Sequence, residues 1–140
     1  VWIMKAYGKP TTEEAEILQI SAEDDVVRLG RVRQFENQPM AIEHAVVPAR
    51  LLPDIEEIKE SLYQALESRG NRPARGTQRV KASLANPTEA GLLSIEEFGE
   101  VLRIERRSFL QDGTPVELTR SAYRGDGFDI VMNLESDQLG

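Results

Sequence analysis

Residues 26–47, VVRLGRVRQFENQPMAIEHAVV, decide the architecture of this chain. Val26 to Phe35 alternates with the two-residue period of a half-buried strand, Glu36-Asn37-Gln38-Pro39 supplies turn chemistry, and Met40 to Val47 is strand-like again. The segment therefore reads as an antiparallel hairpin. Val27, Leu29, Arg31, Arg33 and Phe35 share one parity of its first strand. If that face is buried, two guanidinium groups point inward side by side, and an unpaired buried charge costs several kcal/mol. An anion must then meet them: a ligand phosphate or carboxylate, or an internal carboxylate. A partly solvated face is the alternative. Glu43 is the only charged side chain between Met40 and Val47. Setting Arg33 opposite Glu43 takes a three-residue loop, Asn37 to Pro39, and this is the expected register. A loop of two or four residues turns Glu43 to the other face.

Outward from the hairpin, Glu16 to Ile20 is a short apolar stretch that leads into the acidic turn Ala22-Glu23-Asp24-Asp25. Val1 to Gly8 runs into Gly8-Lys9-Pro10 and reads as a short helix or a linker, so residues 1–13 are assigned as a linker or N-terminal helix remnant and 14–140 as one domain. On the other side, Pro48 and Pro53 bracket a loop. Ile55, Ile58, Leu62, Ala65 and Leu66 then recur at helical spacing up to Gly70, the expected C-cap. This is one helix or two; Ser61 followed by Gln64 fits a capping box that would start a new helix at Leu62. Thr77 to Leu84 reads as a strand, and Asn86-Pro87-Thr88-Glu89 opens a short helix that runs to about Ser94. Val101 to Leu110 and Val116 to Tyr123 flank Asp112-Gly113 as a second hairpin, and Phe128 to Leu134 reads as a last strand. The fold class is α+β, a mostly antiparallel sheet flanked by short helices. Arg33-Gln34-Phe35 before Pro39 is echoed by Arg107-Ser108-Phe109 before Pro115, which hints at a duplicated unit.

Composition narrows the chemistry. The 140 residues are 40% hydrophobic, enough for one core, and 17 basic against 24 acidic side chains leave a net charge of −7. That sign opposes a phosphate backbone, so any DNA contact must come from elsewhere. With no cysteine and one histidine, His44, there is no disulfide framework, no thiolate nucleophile and no Cys/His zinc site. No uncharged apolar run approaches the roughly 20 residues that span a bilayer, so a soluble, cytoplasmic protein is expected, without membrane contact.

Among the individual residues, Ser61 offers a hydroxyl at a helix start, either as an anion donor or as a simple cap. Tyr63 stacks on a ligand ring or fills the core edge. Glu117, Thr119, Ser121 and Tyr123 share one parity, which from pattern alone favours a solvent face. His44 reads as a strand residue. Glu23-Asp24-Asp25 and Glu56-Glu57 read as solvated turns, with no metal site and no cofactor expected.

Taken in order, Leu29-Gly30-Arg31-Val32-Arg33, Asn37-Gln38-Pro39, Glu43, Val47-Pro48, Ser61-Leu62-Tyr63, Asp112-Gly113-Thr114-Pro115-Val116-Glu117 and Tyr123-Arg124-Gly125-Asp126 resemble the UTRA domain. UTRA is the effector-binding half of HutC-type members of the GntR family of bacterial transcription regulators, and the resemblance runs from about Glu14 to Leu134. It implies a chorismate-lyase-like fold, a homodimer, and a pocket for a small, usually anionic metabolite such as a sugar phosphate. Carried over, Arg31, Arg33 and Ser61 would hold the anionic group, Glu43 and Glu117 would accept hydrogen bonds from ligand hydroxyls or amides, and Tyr63 and Tyr123 would line the cavity. Two departures stand out. The connection from Ile20 to Val26 is shorter than the helix-bearing one usual in the family, and no winged helix-turn-helix precedes Val1. The expectation is a regulator fragment without catalytic residues, reaching DNA only through a separate N-terminal domain absent here. The rival is a chorismate-lyase-like enzyme acting on a small carboxylate. On the regulator reading, Arg31 and Arg33 should both be dispensable for folding.

Overall fold

The computed structural model describes residues 2–126. In chain order these form β1 (Trp2–Gly8), α1 (Thr12–Leu18), β2 (Val26–Phe35), β3 (Gln38–Pro48), two 3-10 turns (Ala49–Leu51 and Ile55–Glu57), α2 (Leu62–Ser68), β4 (Arg75–Leu84), α3 (Pro87–Leu93), β5 (Glu100–Phe109) and β6 (Pro115–Arg124). The strands make one antiparallel six-stranded sheet, ordered β1-β2-β3-β6-β5-β4. The α+β class with a mostly antiparallel sheet holds. The strand expected at Phe128 to Leu134 lies outside the described residues.

Each sheet face buries a different set of helices. Val27, Leu29, Ala45 and Val47 pack against Leu51, Leu52 and Ile58 of the 3-10 region and Leu62, Ala65 and Leu66 of α2. On the opposite face Leu18 of α1 packs with Val26, Val46 and Leu118, while Ala90 and Leu93 of α3 pack with Val101 and Ala122. At roughly 1.5 to 3 kcal/mol per fully buried aliphatic side chain, these layers supply the main driving force. α2 begins at Leu62 with the Ser61 hydroxyl accepting from Gln64 N at 3.2 Å, so the helical spacing from Ile55 is broken into a 3-10 turn and a new helix. The C-cap is Arg69, and Gly70 follows it at φ +75.

Three sequence expectations are corrected. Residues 2–8 are neither helix nor linker but the edge strand β1, whose backbone satisfies the outer edge of β2 from Gly8 opposite Val26 to Trp2 opposite Arg31. Tyr7 Oη ties this strand to Pro53 O at 2.7 Å, and Trp2 Nε1 donates to Lys59 O. The apolar stretch at Glu16 belongs to α1, opened by a capping box between Thr11 and Glu14. The hairpin turn has two residues, Glu36 and Asn37, both at positive φ as in a type I′ turn. Such a loop alone would send Glu43 to the face opposite Arg33. An irregularity in the ladder, however, leaves Met40 unpaired and shifts the register, setting Arg33 opposite Ala41 and Arg31 opposite Glu43. The shared face survives, but Glu43's direct partner is Arg31.

The duplicated unit hinted at in sequence is present, at an offset of 75 residues. α1 (12–18) maps onto α3 (87–93), and both helices end on left-handed caps, Gln19 and Ser94. In the first half Arg28 on β2 grips both oxygens of Glu14 and the carbonyl of Lys9; in the second Arg103 on β5 grips both oxygens of Glu89 and the carbonyl of Leu84. The β1–β2 and β4–β5 registers correspond as well, Gly8 opposite Val26 and Ser83 opposite Val101. At this offset Arg33 corresponds to Ser108, so the echo of Arg33 in Arg107 is one residue out.

These clamps have a pH signature. The two hydrogen bonds from Arg28 outweigh burial and hold the Glu14 carboxyl down to about 2. A carboxyl lowered in the folded state contributes stability that is complete above its ordinary value of about 4.5 and is lost as pH falls towards 2. Glu14→Gln is therefore expected to flatten the pH dependence of the melting temperature between pH 4.5 and 2. By linkage up to about 3 kcal/mol is involved, and parallel melts of the two forms across that range measure it.

Candidate functional site

Because α2 covers only part of its sheet face, a cleft of about 530 Å³ opens between the start of α2 and the strands. Arg31, Arg33, Glu43 and Ala45 come from the central hairpin, Ser61, Tyr63 and Gln64 from the first turn of α2, and Arg106 and Thr119 from β5 and β6.

One end is dominated by cations. Glu43 Oε1 accepts from Arg31 Nε at 2.9 Å and also from Arg33 Nε. The internal-carboxylate reading of the arginine pair is thus realised, but the one carboxylate bonded to the pair answers two guanidinium groups; Glu60 also lines this end, and only its backbone carbonyl bonds Arg31. Glu43 and Arg31 are largely enclosed, at 8% and 18% side-chain exposure, whereas Arg33 is 50% exposed. Arg31 is further fixed by a bond from Nη1 to Glu60 O at 3.1 Å and by stacking 4.4 Å from the centre of the Trp2 ring. Arg31 is therefore a structural element as well as a cleft residue, which corrects the expectation that both arginines are dispensable for folding. Burial by itself would raise the Glu43 pKa, but the bonds and charges of Arg33 and Arg31 together prevail and keep the carboxyl below its ordinary value.

The other end is a buried hydroxyl network. Glu117 accepts from Ser108 Oγ at 2.9 Å, from Thr119 Oγ1 and from the Tyr63 hydroxyl. Glu117, Thr119 and Ser121 are buried, so the solvent-face reading of their parity fails; Glu117 is tied to Tyr63 of α2 and Thr119 lines the cleft. Glu117 stands behind the cleft wall and positions Tyr63, whose phenol is pushed up to about 12 by burial and then by the hydrogen bond to Glu117. Tyr123, opposite Ala41 on the neighbouring strand, lies outside the cleft wall yet within the electrostatic reach of Glu43 and Arg33; its pKa is raised first by burial and then by Glu43.

His44 faces the other side of the sheet, where burial and then Arg28 lower its pKa, and it takes no part in the cleft. That opposite face carries a larger groove, about 630 Å³, floored by Met4, Ile42 and Ala122. Of the cations lining it, Arg103 and Arg120 are committed to Glu89 and to Glu13 and Glu105, while Arg79 and Lys81 stand exposed on the edge strand β4. The smaller cleft, where a surplus of positive charge meets hydroxyls and an aromatic ring, is the better-equipped site. Sequence reading missed Arg106, which the 75-residue offset would have found as the counterpart of Arg31.

The profile of the UTRA domain matches residues 2–129. The HTH-type transcriptional repressor NagR of Bacillus subtilis (strain 168) is 35% identical over 124 residues, covering 86% of this chain and 51% of that protein. Among solved structures, a GntR-family transcriptional regulator from Enterococcus faecalis V583 superposes with a TM-score of 0.89 at 28% identity, covering 96% of this chain and 99% of that one. The effector domain of PhnF from Mycobacterium smegmatis superposes with a TM-score of 0.85 at 27% identity, covering 96% and 86%. The chain spans about half the length of the curated relatives it matches.

Proposed function

The chain belongs to the UTRA domain family, the effector-binding domains of GntR-family transcription regulators, and on that premise we propose that the cleft beside α2 binds a small anionic metabolite such as a sugar phosphate. The observation that carries this reading is the sharing of the single carboxylate of Glu43 by Arg31 and Arg33. A ligand phosphate or carboxylate supplies the missing negative charge through charge-assisted hydrogen bonds. Ser61 Oγ accepts from Gln64 N and keeps its own O–H to donate to the same group. Glu43 takes hydrogen bonds from ligand hydroxyls or amides, Tyr63 forms the wall, and Glu117 acts through Tyr63. Tyr123, outside the cleft wall, acts on the site through its electrostatic coupling to Glu43 and Arg33.

In the intact regulator, ligand binding shifts the relative placement of DNA-binding domains joined through β1, changing operator affinity in the cytoplasm. The relatives carry the names of regulators, which weighs against a lyase. A thermal-shift screen against phosphorylated sugars and small carboxylates tests the reading, since a ligand at 100 times its Kd adds roughly 2.7 kcal/mol of stability. Absence of any shift across both classes would remove the anionic-effector assignment.

A two-half-site operator calls for a twofold-symmetric reader. Sedimentation equilibrium of the regulator at micromolar concentration is expected to give a dimer. A monomer under those conditions counts against coupling through a symmetric pair.

A further inference from the structure

The cleft contains a third cation to which the reading above gives no role. Arg106 stands on β5 level with Thr119, and β3 and β6 separate its strand from that of Arg31. At ordinary strand spacing the two backbones are about 14 Å apart. Its guanidinium carbon lies 5.7 Å from the centre of the Tyr63 ring, and its Nε is buried with no hydrogen-bond partner among the described residues. Glu117 Oε1 is 3.4 Å from that nitrogen, but this oxygen already accepts from Tyr63 and Ser108, and Oε2 accepts from Thr119. Arg28 and Arg103 show what a structurally committed arginine looks like in this fold: each grips both oxygens of a carboxylate and a backbone carbonyl. Arg106 has charge compensation without directed bonds, and its side chain is 40% exposed along the cleft.

The internal duplication makes the placement more telling. Arg31 and Arg106 are equivalent at the 75-residue offset, each set against an aromatic ring, Trp2 or Tyr63, and each beside a carboxylate, Glu43 or Glu117. Both halves therefore turn a ring-backed guanidinium into one cleft from opposite ends.

We propose that Arg106 is a second ligand anchor, binding an anionic oxygen group at the end of the metabolite remote from Arg31 and Arg33, so that the cleft selects elongated ligands with an acidic group at each end. The proposal rests on the effector reading for the first end and adds the far one. A ligand oxygen would accept from the cleft-facing Nη groups of Arg106, to which no protein acceptor among the described residues is bonded, in a charge-assisted hydrogen bond.

Calorimetric titration of the parent, Arg106→Gln, Arg106→Lys and Arg33→Ala tests this with three probes: 6-phosphogluconate, with phosphate and carboxylate at opposite ends; sorbitol 6-phosphate, with a hydroxyl in place of that carboxylate; and inorganic phosphate. The parent is expected to prefer 6-phosphogluconate over sorbitol 6-phosphate at least tenfold. Arg106→Gln should reduce that preference to within twofold while leaving inorganic phosphate affinity within twofold of the parent, and Arg106→Lys should keep part of it. A parent without the preference, a glutamine variant that retains it, or one that weakens all three probes equally overturns the proposal. The effector reading fails separately, if Arg33→Ala leaves inorganic phosphate binding unchanged.

Discussion

Glu43→Ala is expected to lower the melting temperature by about 10 °C or more, the largest effect on stability of any single change in the cleft. Glu43 is enclosed and its Oε1 receives both Arg31 and Arg33. Truncating it leaves two adjacent guanidinium groups facing each other with no carboxylate between them. Breaking a buried pair by removing one partner costs about 3 to 5 kcal/mol, and the half-exposed Arg33 brings the expectation to the lower end. Glu43→Gln keeps an oxygen acceptor and loses the charge, so it should fall between the parent and the alanine form. Added phosphate should raise the melting temperature of Glu43→Ala more than that of the parent, since an anion then takes the place of the carboxylate. Because Arg33 and Arg31 hold the Glu43 pKa down, the contribution of this cluster is complete above pH 4.5 and declines as pH falls below that value. Melts of the three forms at neutral and acid pH, with and without phosphate, check each step. An alanine variant melting within 2 °C of the parent would show that water already compensates the arginines.

The hairpins, the Asn86 cap and the α+β class were legible because they rest on local chemistry: alternation, turn residues and N-cap spacing. The register of the first hairpin was not legible. The structure turns on two residues, Glu36 and Asn37, where three were expected, and the displaced residue Met40, which restores Glu43 to the arginine face, has no sequence signal of its own. Strand β1 was hidden for a related reason. As an edge strand it fully buries none of its residues and lacks clean alternation, and its identity comes from pairing with β2. The Thr11…Glu14 capping box was legible and missed, as was the offset that aligns it with Asn86…Glu89. At the site, the arginine pair and Ser61 could be named from pattern and resemblance. The burial of Glu117 behind Tyr63 could not, because it depends on where α2 ends up over β6. Polar alternation looks the same whether water or a helix covers it.

Arg33→Ala is expected to separate binding from folding. Arg33 is half exposed and bonds only to an oxygen that Arg31 also occupies, so its loss leaves Glu43 paired and relieves the crowding of two cations. The folded state should change by less than about 1 kcal/mol, the range of a solvent-screened pair. Arg31→Ala offers the contrast. It removes the Trp2 stack and the bond to Glu60 O as well as a partner of Glu43, and should destabilise clearly. For a phosphate in the cleft, Arg33 contributes charge-assisted hydrogen bonds of about 1.5 to 3 kcal/mol, so its removal should weaken binding roughly ten- to a hundredfold. Titration with inorganic phosphate and glucose 6-phosphate, paired with melts in phosphate-free buffer, decides the matter. If Arg33→Ala binds both probes like the parent, or melts as low as Arg31→Ala without them, the arginine pair exists to hold the hairpin to Glu43 and the anion must be sought elsewhere in the cleft.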